Sequence, residues 1–197
     1  MARTADKTDI PKRLAKAGYE LFNQHGYNAT GIQQITDAAG VPKGSFYNHF
    51  DSKEGFAAVI IGNYIQWMGE QWALCLADAP SDPLEALRHV FQRFTAYHEQ
   101  SATPGCLIGN FAAEVSESSP KCREVLQTGM NHWRDHLATL LARAQQAGQV
   151  RTDMDATTLA VLFWDMWEGA LLRMKVEQDS RALKEAVSAM LDHFLQP

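Results

Sequence analysis

The chain has 197 residues, of which 46% are hydrophobic and 21% charged, and its 18 basic and 23 acidic side chains give a formal net charge of −5. This composition is typical of globular proteins and excludes a disordered or fibrous chain, and the length is enough for one or two domains with a core. No apolar run approaches the roughly 20 residues that span a bilayer, and residues 1–9 lack the apolar stretch of a signal peptide, so we expect a cytoplasmic protein without a membrane partner.

The three cysteines, Cys75, Cys106 and Cys122, form no C-x-x-C pair. Their odd number and spacing argue against a disulfide framework and against a zinc knuckle. Net acidity, taken for the whole chain, argues against a nucleic-acid partner.

Helical signals recur along the chain, and no short window shows the period-two alternation of a strand, so we predict an all-α fold. The inner face of a first helix is marked by Leu14, Ala17, Leu21 and Phe22. This helix should end near Gly26, because glycine is the usual residue after a helix C-terminus.

Two further short helices are predicted before residue 51. The second follows Thr30 and ends at Gly40, and the third runs through Gly44 to Phe50, with Pro42 suited to its first turn. Three short helices in about 45 residues, with a tight glycine-containing turn between the last two, are the layout of a helix-turn-helix. We therefore predict a flexible tail at 1–9, a helix-turn-helix domain at 10–51 and a second helical domain at 52–197.

Capping patterns mark the helices of the second domain. Asp51 with Glu54, and Asp82 with Glu85, have the spacing of a capping box. Further helix starts are predicted at Ser119-Pro120, at Asp153 or Asp155, and at Asp179 or Ser180.

The third helix concentrates the side chains that contact nucleic acids. Its outer residues are small or polar: Lys43, Gly44, Ser45, Tyr47, Asn48 and His49. Such groups reach both phosphate oxygens and base edges, while Phe46 and Phe50 form the inward face. Lys53 lies at the next helix N-terminus, where backbone amides also attract phosphate.

Residues 13–56, and above all the string GVPKGSFYNHFDSKEGF at 40–56, resemble the DNA-binding domain of TetR-family transcriptional regulators. The spacing matches from Gly26 through Thr30 and Gly40-Val41 to the patterns K-G-x-x-Y-x-x-F and S-K-E. The resemblance implies a homodimeric repressor whose N-terminal domain binds a roughly palindromic site on double-stranded DNA. It also implies a C-terminal domain that binds a small-molecule inducer.

The same resemblance implies roles for single residues. It matches Thr30, Lys43, Tyr47 and Lys53 to phosphate contacts, and Gln33, Ser45, Asn48 and His49 to positions that read or approach bases, with Gly44 allowing close approach of the backbone. Asn48 departs from the family pattern, which often has a larger aromatic or basic residue there, so the base it reads stays open.

The distribution of charge changes what the net acidity indicates. Residues 1–55 hold seven basic and six acidic side chains, a net of +1, which leaves −6 for the rest of the chain. The acidic excess therefore belongs to the C-terminal domain and does not argue against DNA binding by the N-terminal one.

The segment 159–174 is apolar nearly all round. A helix that is apolar on every side must be buried on every side, and a second subunit in a twofold dimer is the natural cover. The alternative is a central helix of a monomer.

The string PGCLIGNFAAEVSESSP at 104–120 resembles a TetR subgroup that includes the repressor of N-ethylmaleimide reductase, and this resemblance implies that Cys106 senses redox agents or electrophiles. Thr103-Pro104-Gly105 predicts a helix start, whose dipole would lower the pKa of a thiol in the first turn. Arg173 or Lys175 are candidate cations beside it. The alternative is that Cys106 is a small buried hydrophobe, as Cys75 and Cys122 are expected to be.

Aromatic residues are the other candidates for an inducer site, although such residues are more often core. We name Trp67, Phe111, Trp133, Phe163 and Trp167. His132 and His136 have the i, i+4 spacing of a metal pair, but a solvated helix face is favoured. No nucleophile elbow surrounds Ser116, Ser118 or Ser119, so we expect no enzyme, cofactor or metal.

The sequence thus predicts a TetR-like repressor released by an inducer that reacts at Cys106. Two alternatives stay open. One is a repressor induced by reversible binding of an apolar ligand, and the other is a small-molecule-binding protein on the same fold that does not bind DNA.

Overall fold

The computed structural model describes residues 9–101 and 105–197, and within these ranges the secondary structure is helical. The helices are α1 (Ile10–Ala29), α2 (Ile32–Ala38), α3 (Lys43–Tyr47), α4 (Lys53–Ala77), α5 (Pro83–Gln100), α6 (Leu107–Val115), α7 (Pro120–Gln146), α8 (Ala156–Glu177) and α9 (Arg181–Ala189), followed by a π-helical turn (Met190–Phe194). The prediction of an all-α fold is confirmed. The predicted tail up to residue 8 and the helix start predicted at Thr103-Pro104 lie outside the described residues.

Side-chain caps begin the helices of the C-terminal part. The carboxylate of Asp82 accepts hydrogen bonds from the amides of Leu84 and Glu85, and that of Asp155 accepts one from Thr158. Ser119 caps α7 by accepting from the amide of Cys122 at 3.0 Å. The predicted starts of α5, α7 and α8 are therefore confirmed.

The start of α4 differs from the prediction by one residue. The hydroxyl of Ser52, and not the carboxylate of Asp51, accepts from the amide of Gly55 at 3.0 Å. The serine lies three residues before that amide, which is the spacing an N-cap side chain spans.

The first helix is interrupted where its end was predicted. Gly26 has φ 81° and ψ 170°, a conformation outside the helical region that only glycine adopts without strain. The chain regains helical geometry up to Ala29, so the break is a kink inside α1. A side chain at Gly26 would also collide with the carboxylate of Glu114, whose Oε1 lies 2.3 Å from the position of a Cβ.

The chain forms two compact units. The first comprises Met1–Gln66 and Leu107–Gly129, and the second comprises Trp67–Cys106 and Met130–Pro197. Helices α4 and α7 contribute residues to both. The functional boundary placed at residue 52 stays a prediction.

Aromatic rings fill the core of the first unit. Phe56 contacts the rings of Phe22, Phe46 and Phe50 at centroid distances of 6.0, 5.1 and 4.7 Å. Gly18 on α1 permits this packing, since a Cβ there would lie 2.4 Å from the Phe56 ring. Helices α1 and α3 and the turn after α3 therefore pack around one buried ring.

A second aromatic cluster fills the second unit. Phe91 on α5 contacts Phe163 and Trp167 on α8 at 4.4 and 5.0 Å. Trp133 on α7 contacts Phe94 and Trp164 at 5.2 and 5.6 Å. Helices α5, α7 and α8 therefore share one core, and α9 packs against α5 and α8.

One face of α8 stays outside this core. Leu162, Leu172 and Val176 are 39%, 65% and 76% exposed. A Cβ at Gly169, on the same face, would meet no atom within 4 Å. Across the described residues, no helix combines the length and the apolar character of a bilayer-spanning segment.

Candidate DNA-binding and sensor sites

The turn between α2 and α3 is held by Arg13. Its guanidinium, which projects from α1, donates hydrogen bonds to the carbonyl oxygens of Ala39 and of Gly40, the latter at 3.0 Å. Gly40 has φ 63°, and the amide of Val41 donates to the carbonyl of Thr36 at 3.0 Å. The sequence pattern does not reveal this role, because only the tertiary fold brings an α1 side chain to the end of α2.

Helix α3 is shorter than predicted. It ends at Tyr47, and the amides of His49 and Phe50 both donate to the carbonyl of Phe46 at 3.0 and 2.9 Å. The segment to Phe50 is therefore a hydrogen-bonded turn that continues the helical path. Phe46 is fully buried and anchors α3 to the core of the first unit.

Most of the residues predicted to contact DNA from α3 and the following turn are exposed. This holds for Lys43, Gly44, Asn48 and His49, while Tyr47 is 53% exposed and Ser45 is half-buried. A Cβ at Gly44 would meet no atom within 4 Å, so the backbone there is open to a ligand. These groups supply hydrogen-bond donors, acceptors and one cation, which suits phosphates and base edges.

Gln33 is exposed on α2, and its side-chain amide donates to the carboxylate of Asp37 at 2.8 Å. This hydrogen bond between residues one helical turn apart restrains the side chain of Gln33. The carbonyl oxygen and the second N–H of the amide remain available for a base.

Thr30 differs from the other predicted DNA contacts because it is buried in the structure. Its side chain is buried, with 1% of the residue exposed, and its hydroxyl donates to the carbonyl of Gly26 at 2.7 Å. The side chain therefore fastens the kink of α1 to the start of α2. The N-cap of α2 is Gly31, whose amide donates to the side chain of Gln34 at 2.6 Å.

Lys53 is half-buried, and its ammonium lies 4.1 Å from the centroid of the Tyr27 ring. Burial lowers the pKa of this ammonium, and the nearby carboxylate of Glu114 opposes that effect. The cation is thus held by an aromatic ring of the first unit, which fixes where it projects.

Phe111, which was predicted as an inducer contact, belongs to the first unit, where its ring contacts Phe22 and Tyr27 at 5.3 and 5.9 Å. Its predicted role stays a prediction. With 2% of the residue exposed, it is a packing residue between α6 and α1. Beside it, the Glu114 carboxylate accepts a hydrogen bond from the amide of Asn28 at 2.8 Å.

The other four predicted aromatics belong to the second unit. Trp67 contacts Tyr97 at 5.2 Å, and Trp133, Phe163 and Trp167 are part of the aromatic cluster described above. The indole N–H of Trp133 is buried and has no hydrogen-bond partner among the described residues.

The sequence predicted Cys106 in the first turn of a helix. In the structure Cys106 lies one residue before α6. It is 6% exposed, and its thiol forms a hydrogen bond with the carboxyl group of Glu168 on α8. Of its two predicted cationic partners, Arg173 instead pairs with Glu177 and Glu185 at 3.1 and 3.6 Å. The thiol therefore faces an acid.

The sequence patterns do not reveal two titratable groups of the second unit, the buried imidazole of His98 and the half-buried side chain of Glu168, whose Oε1 is shielded from solvent. Burial raises the pKa of Glu168 to about 7, and the hydrogen bond from Cys106 works against this rise. Burial also lowers the pKa of His98 to about 4. Glu168 Oε1 and His98 Nδ1 have no hydrogen-bond partner among the described residues, and an acidic residue within the apolar run 159–174 was the signal available in the sequence.

Cys75 and Cys122 are buried, and burial raises the pKa of both thiols. His132 and His136 have their Nε2 atoms 3.0 Å apart, and the His136 ring stacks on Trp72. Among the described residues, no third histidine, cysteine or acid joins them in a metal-binding group.

Comparisons with known proteins agree with this geometry. Residues 14–60 match the family "Bacterial regulatory proteins, tetR family", and residues 83–190 match "Tetracyclin repressor-like, C-terminal domain". The chain is 33% identical to the HTH-type transcriptional repressor DhaR of Mycobacterium sp. strain GP1, over 96% of this chain and 94% of that protein. It is also 33% identical to the transcriptional regulator AcuR of Cereibacter sphaeroides, over 92% of this chain and 84% of that protein.

Solved structures share the fold. The regulatory protein TetR from Rhodobacter sphaeroides superposes with a TM-score of 0.84 at 32% identity, covering 94% of this chain and 98% of that one. The reduced form of NemR from E. coli superposes with a TM-score of 0.85 at 22% identity, covering 96% and 97%. Sequence and fold therefore agree that this chain belongs to the TetR family of bacterial transcriptional regulators.

Proposed function

We propose that this chain is a dimeric TetR-type transcriptional repressor that leaves its operator when a reactive small molecule modifies Cys106. The observation that carries the DNA-binding part is the exposed surface of α3 and the turn after it, formed by Lys43, Gly44, Tyr47, Asn48 and His49 over the buried anchor Phe46. A regulator of this kind acts on DNA in the cytoplasm.

Two features of the first unit support DNA contact. The net charge of residues 1–55 is +1, whereas that of the remaining residues is −6. Because the acidic remainder repels phosphates, this distribution favours DNA contact by the N-terminal residues. Arg13 fixes the turn that presents α3, so the contact residues are held before DNA arrives.

The exposed face of α8 supports a dimer. Leu162, Gly169, Leu172 and Val176 follow one another at helical spacing along this face. In a twofold dimer the same face of each subunit packs on its partner. Two DNA-binding domains would then meet half-sites about 34 Å apart on a roughly palindromic operator.

The inducer part depends on Cys106, the cysteine whose thiol contacts a carboxyl side chain. Release requires that the modified protein favours an arrangement that binds DNA poorly. A loss of about 100-fold in operator affinity needs only about 2.7 kcal/mol of coupling between the two sites.

The DNA-binding role is tested with Tyr47→Ala in a mobility-shift assay. The probe is a DNA fragment selected from a genomic library by the unmodified full-length protein. We expect binding to be lost while the helical circular-dichroism spectrum is kept. Tyr97→Ala, which truncates an exposed tyrosine of the second unit, is the matched control and should bind normally. Unchanged binding by Tyr47→Ala would contradict the assigned surface.

The sensor role is tested by adding N-ethylmaleimide to the protein–DNA complex. We expect release of the parent and of Cys75→Ser, but not of Cys106→Ser. Equal release of Cys106→Ser would exclude this thiol as the switch.

A second candidate is induction by reversible binding of an apolar ligand. The specific observation in its favour is the aromatic cluster of the second unit, where the N–H of Trp133 and the Nδ1 of His98 find no hydrogen-bond partner among the described residues. Intact-protein mass spectrometry separates the two candidates, because only reaction at the thiol leaves an adduct. Failure of the parent to retain any genomic fragment would favour a small-molecule-binding protein that does not bind DNA.

A further inference from the structure

The second unit contains a thiol and a carboxyl group in direct contact. Cys106 comes from the segment just before α6, and Glu168 comes from the middle of α8, 62 positions further along the chain. The thiol donates to one oxygen of the carboxyl group. The other oxygen, Oε1, is shielded from solvent and has no hydrogen-bond partner among the described residues.

Aromatic residues flank Glu168 along α8. Trp164, one turn before Glu168 on α8, packs on Trp133 of α7, and Trp167, the residue next to Glu168, packs on Phe91 of α5. Such surroundings give a neutral organic molecule apolar surface to contact beside the thiol.

Two other titratable groups on α5 and α8 have contacts of their own. His98 of α5 contacts Trp167 and is neutral above pH about 4, because burial lowers its pKa. The cation of Arg173 is paired with Glu177 on α8 and Glu185 on α9. From α7, the uncharged Trp133 packs on Trp164 of α8.

A thiol must lose its proton before it attacks carbon, because the thiolate is the nucleophile. A helix dipole or a cation achieves this by lowering the pKa of the thiol. A neighbouring base achieves it by accepting the proton during the reaction. In this chain the group that contacts the thiol is a carboxyl, so the second route fits the observed contact.

The strength of the base also suits the task. An exposed carboxylate, with a pKa near 4.5, is a poor acceptor for a thiol proton. The pKa of Glu168 is raised to about 7 by burial, which brings the carboxylate closer to the basicity of a thiolate.

We propose that Glu168 is the general base for Cys106, and that this pair forms a site for uncharged α,β-unsaturated carbonyl compounds. The proposal rests on the proposed electrophile-sensing function of Cys106 and adds the residue that activates the thiol and the charge class of the ligand.

The reaction needs no further reactant. The carboxylate of Glu168 takes the proton from the thiol, and the thiolate sulfur forms a bond to the β-carbon of the ligand. The π electrons of the carbon–carbon double bond move toward the carbonyl oxygen and give an enolate. Glu168 then returns the proton to the α-carbon, which leaves a neutral thioether and the original carboxylate.

Glu168 also sets the charge of the ligand. A carboxylate that is shielded from solvent and forms no ion pair among the described residues repels a second anion at close range, because charges are screened poorly away from water. We therefore expect N-ethylmaleimide to react much faster than N-(carboxymethyl)maleimide, which has the same reactive ring and an added carboxylate.

The test measures adduct formation at Cys106 by peptide mapping of the full-length protein without DNA, across pH 5 to 10. For the parent we expect a rate that rises as Glu168 ionises near pH 7. Glu168→Gln should lose that rise and react at least about tenfold more slowly at pH 7.5. At pH 10 the thiol ionises without help, so the two rates should converge and show that the variant retains its fold.

Glu177→Gln, on the exposed end of the same helix, is the matched control and should follow the parent. If Glu168→Gln does not fold, Glu168→Asp, which withdraws the carboxyl by one methylene, takes its place with the same expectation. A rate at pH 7.5 that is unchanged or increased in the variant would overturn the proposal. Equal rates for the neutral and the anionic maleimide would overturn the ligand class.

The proposal and the repressor function fail in distinguishable ways. Adduct formation that depends on Glu168 but leaves the protein on DNA would support the base and contradict inducer release. Release from DNA that depends on Cys106 but not on Glu168 would support inducer release and contradict the role of Glu168 as the base. A parent protein that forms no adduct at Cys106 would overturn the base assignment.

Discussion

Arg13 shows how one side chain sets the geometry of the DNA-binding surface. It is one of the seven basic residues of the N-terminal segment, but its guanidinium donates hydrogen bonds to two carbonyl oxygens at the end of α2. Its contribution to DNA binding is therefore indirect, through the position of α3. Lysine cannot replace it, because an ammonium lacks the planar fork that reaches two acceptors.

We expect Arg13→Ala to lower the free energy of unfolding by about 1–3 kcal/mol, since the buried carbonyl of Ala39 loses its charged donor. Arg13→Lys should recover only part of this loss. Lys16→Ala, which removes an exposed lysine with a 4.0 Å ion pair on the same helix, is the control and should change stability by less than about 0.5 kcal/mol. Urea unfolding monitored by circular dichroism measures all three, and an equal effect of the Arg13 and Lys16 variants would contradict this role.

Glu168 and His98 give the stability of the second unit opposite dependences on pH. The folded state favours the neutral form of Glu168, so its contribution is complete below pH 4.5 and is lost as pH rises to about 7. The folded state also favours the neutral form of His98. The contribution of His98 to stability is therefore complete above pH 6.5 and is lost as pH falls to about 4. Each group changes the free energy of unfolding by about 3 kcal/mol over its range. Between pH 4.5 and 6.5 the loss from Glu168 and the gain from His98 nearly cancel as pH rises.

The two variants should therefore show opposite trends. Relative to the parent, Glu168→Gln should gain up to about 3 kcal/mol in unfolding free energy between pH 4.5 and pH 8, and His98→Gln should lose a similar amount over the same range. Urea unfolding at both pH values tests this, with the exposed Glu117→Gln as control. A Glu168→Gln difference that does not change with pH would show that the carboxyl is not buried in solution.

At the scale of helices, the contact of α1 with α4 depends on one missing side chain. Gly18 lies against the Phe56 ring, whereas Gly62, on α4, faces open space. Both glycines lie inside helices, so an alanine at either position gains the same intrinsic helix propensity.

We expect Gly18→Ala to destabilise the protein by about 1–3 kcal/mol, because the added methyl group collides with a buried aromatic ring. Gly62→Ala should stabilise it by roughly 0.5–1 kcal/mol. Thermal unfolding of the two variants gives the comparison, and a shift of both in the same direction would argue against close packing at Gly18.

Sequence patterns predicted the helices well and their tertiary contacts poorly. Caps such as Asp82 and Ser119 are local, so spacing alone identified them. The apolar character of Phe111 did not reveal that its ring packs on Phe22 and Tyr27 of α1. Glu168 was missed for the same reason, since only the folded chain shows that it is buried beside a thiol.

At the scale of the whole molecule, the exposed face of α8 that carries Leu162, Leu172 and Val176 is the surface on which the proposed dimer depends. An apolar stripe along a helix is costly in water, and a second copy of the same face is the partner that the proposed dimer supplies. The spacing of the two DNA-binding domains then depends on this interface.

We expect Leu172→Glu to convert a dimer into a monomer and to weaken operator binding, because it places like charges on both sides of the interface. Leu74→Glu is the matched control, since Leu74 on α4 is 60% exposed and Leu172 is 65% exposed. Light scattering coupled to size-exclusion chromatography reads the mass directly. A Leu172→Glu protein that elutes as the parent does would place the dimer interface elsewhere.

The tryptophans follow the division into units. All five, Trp67, Trp72, Trp133, Trp164 and Trp167, belong to the second unit, and the α2–α3 surface contains none. Intrinsic tryptophan emission therefore originates wholly from the half of the chain that holds Cys106, and DNA docked on α3 touches no emitter. Tryptophan fluorescence can therefore report changes in the unit that contains the thiol. A fluorescent label on the DNA, measured at a different wavelength, would report operator binding independently.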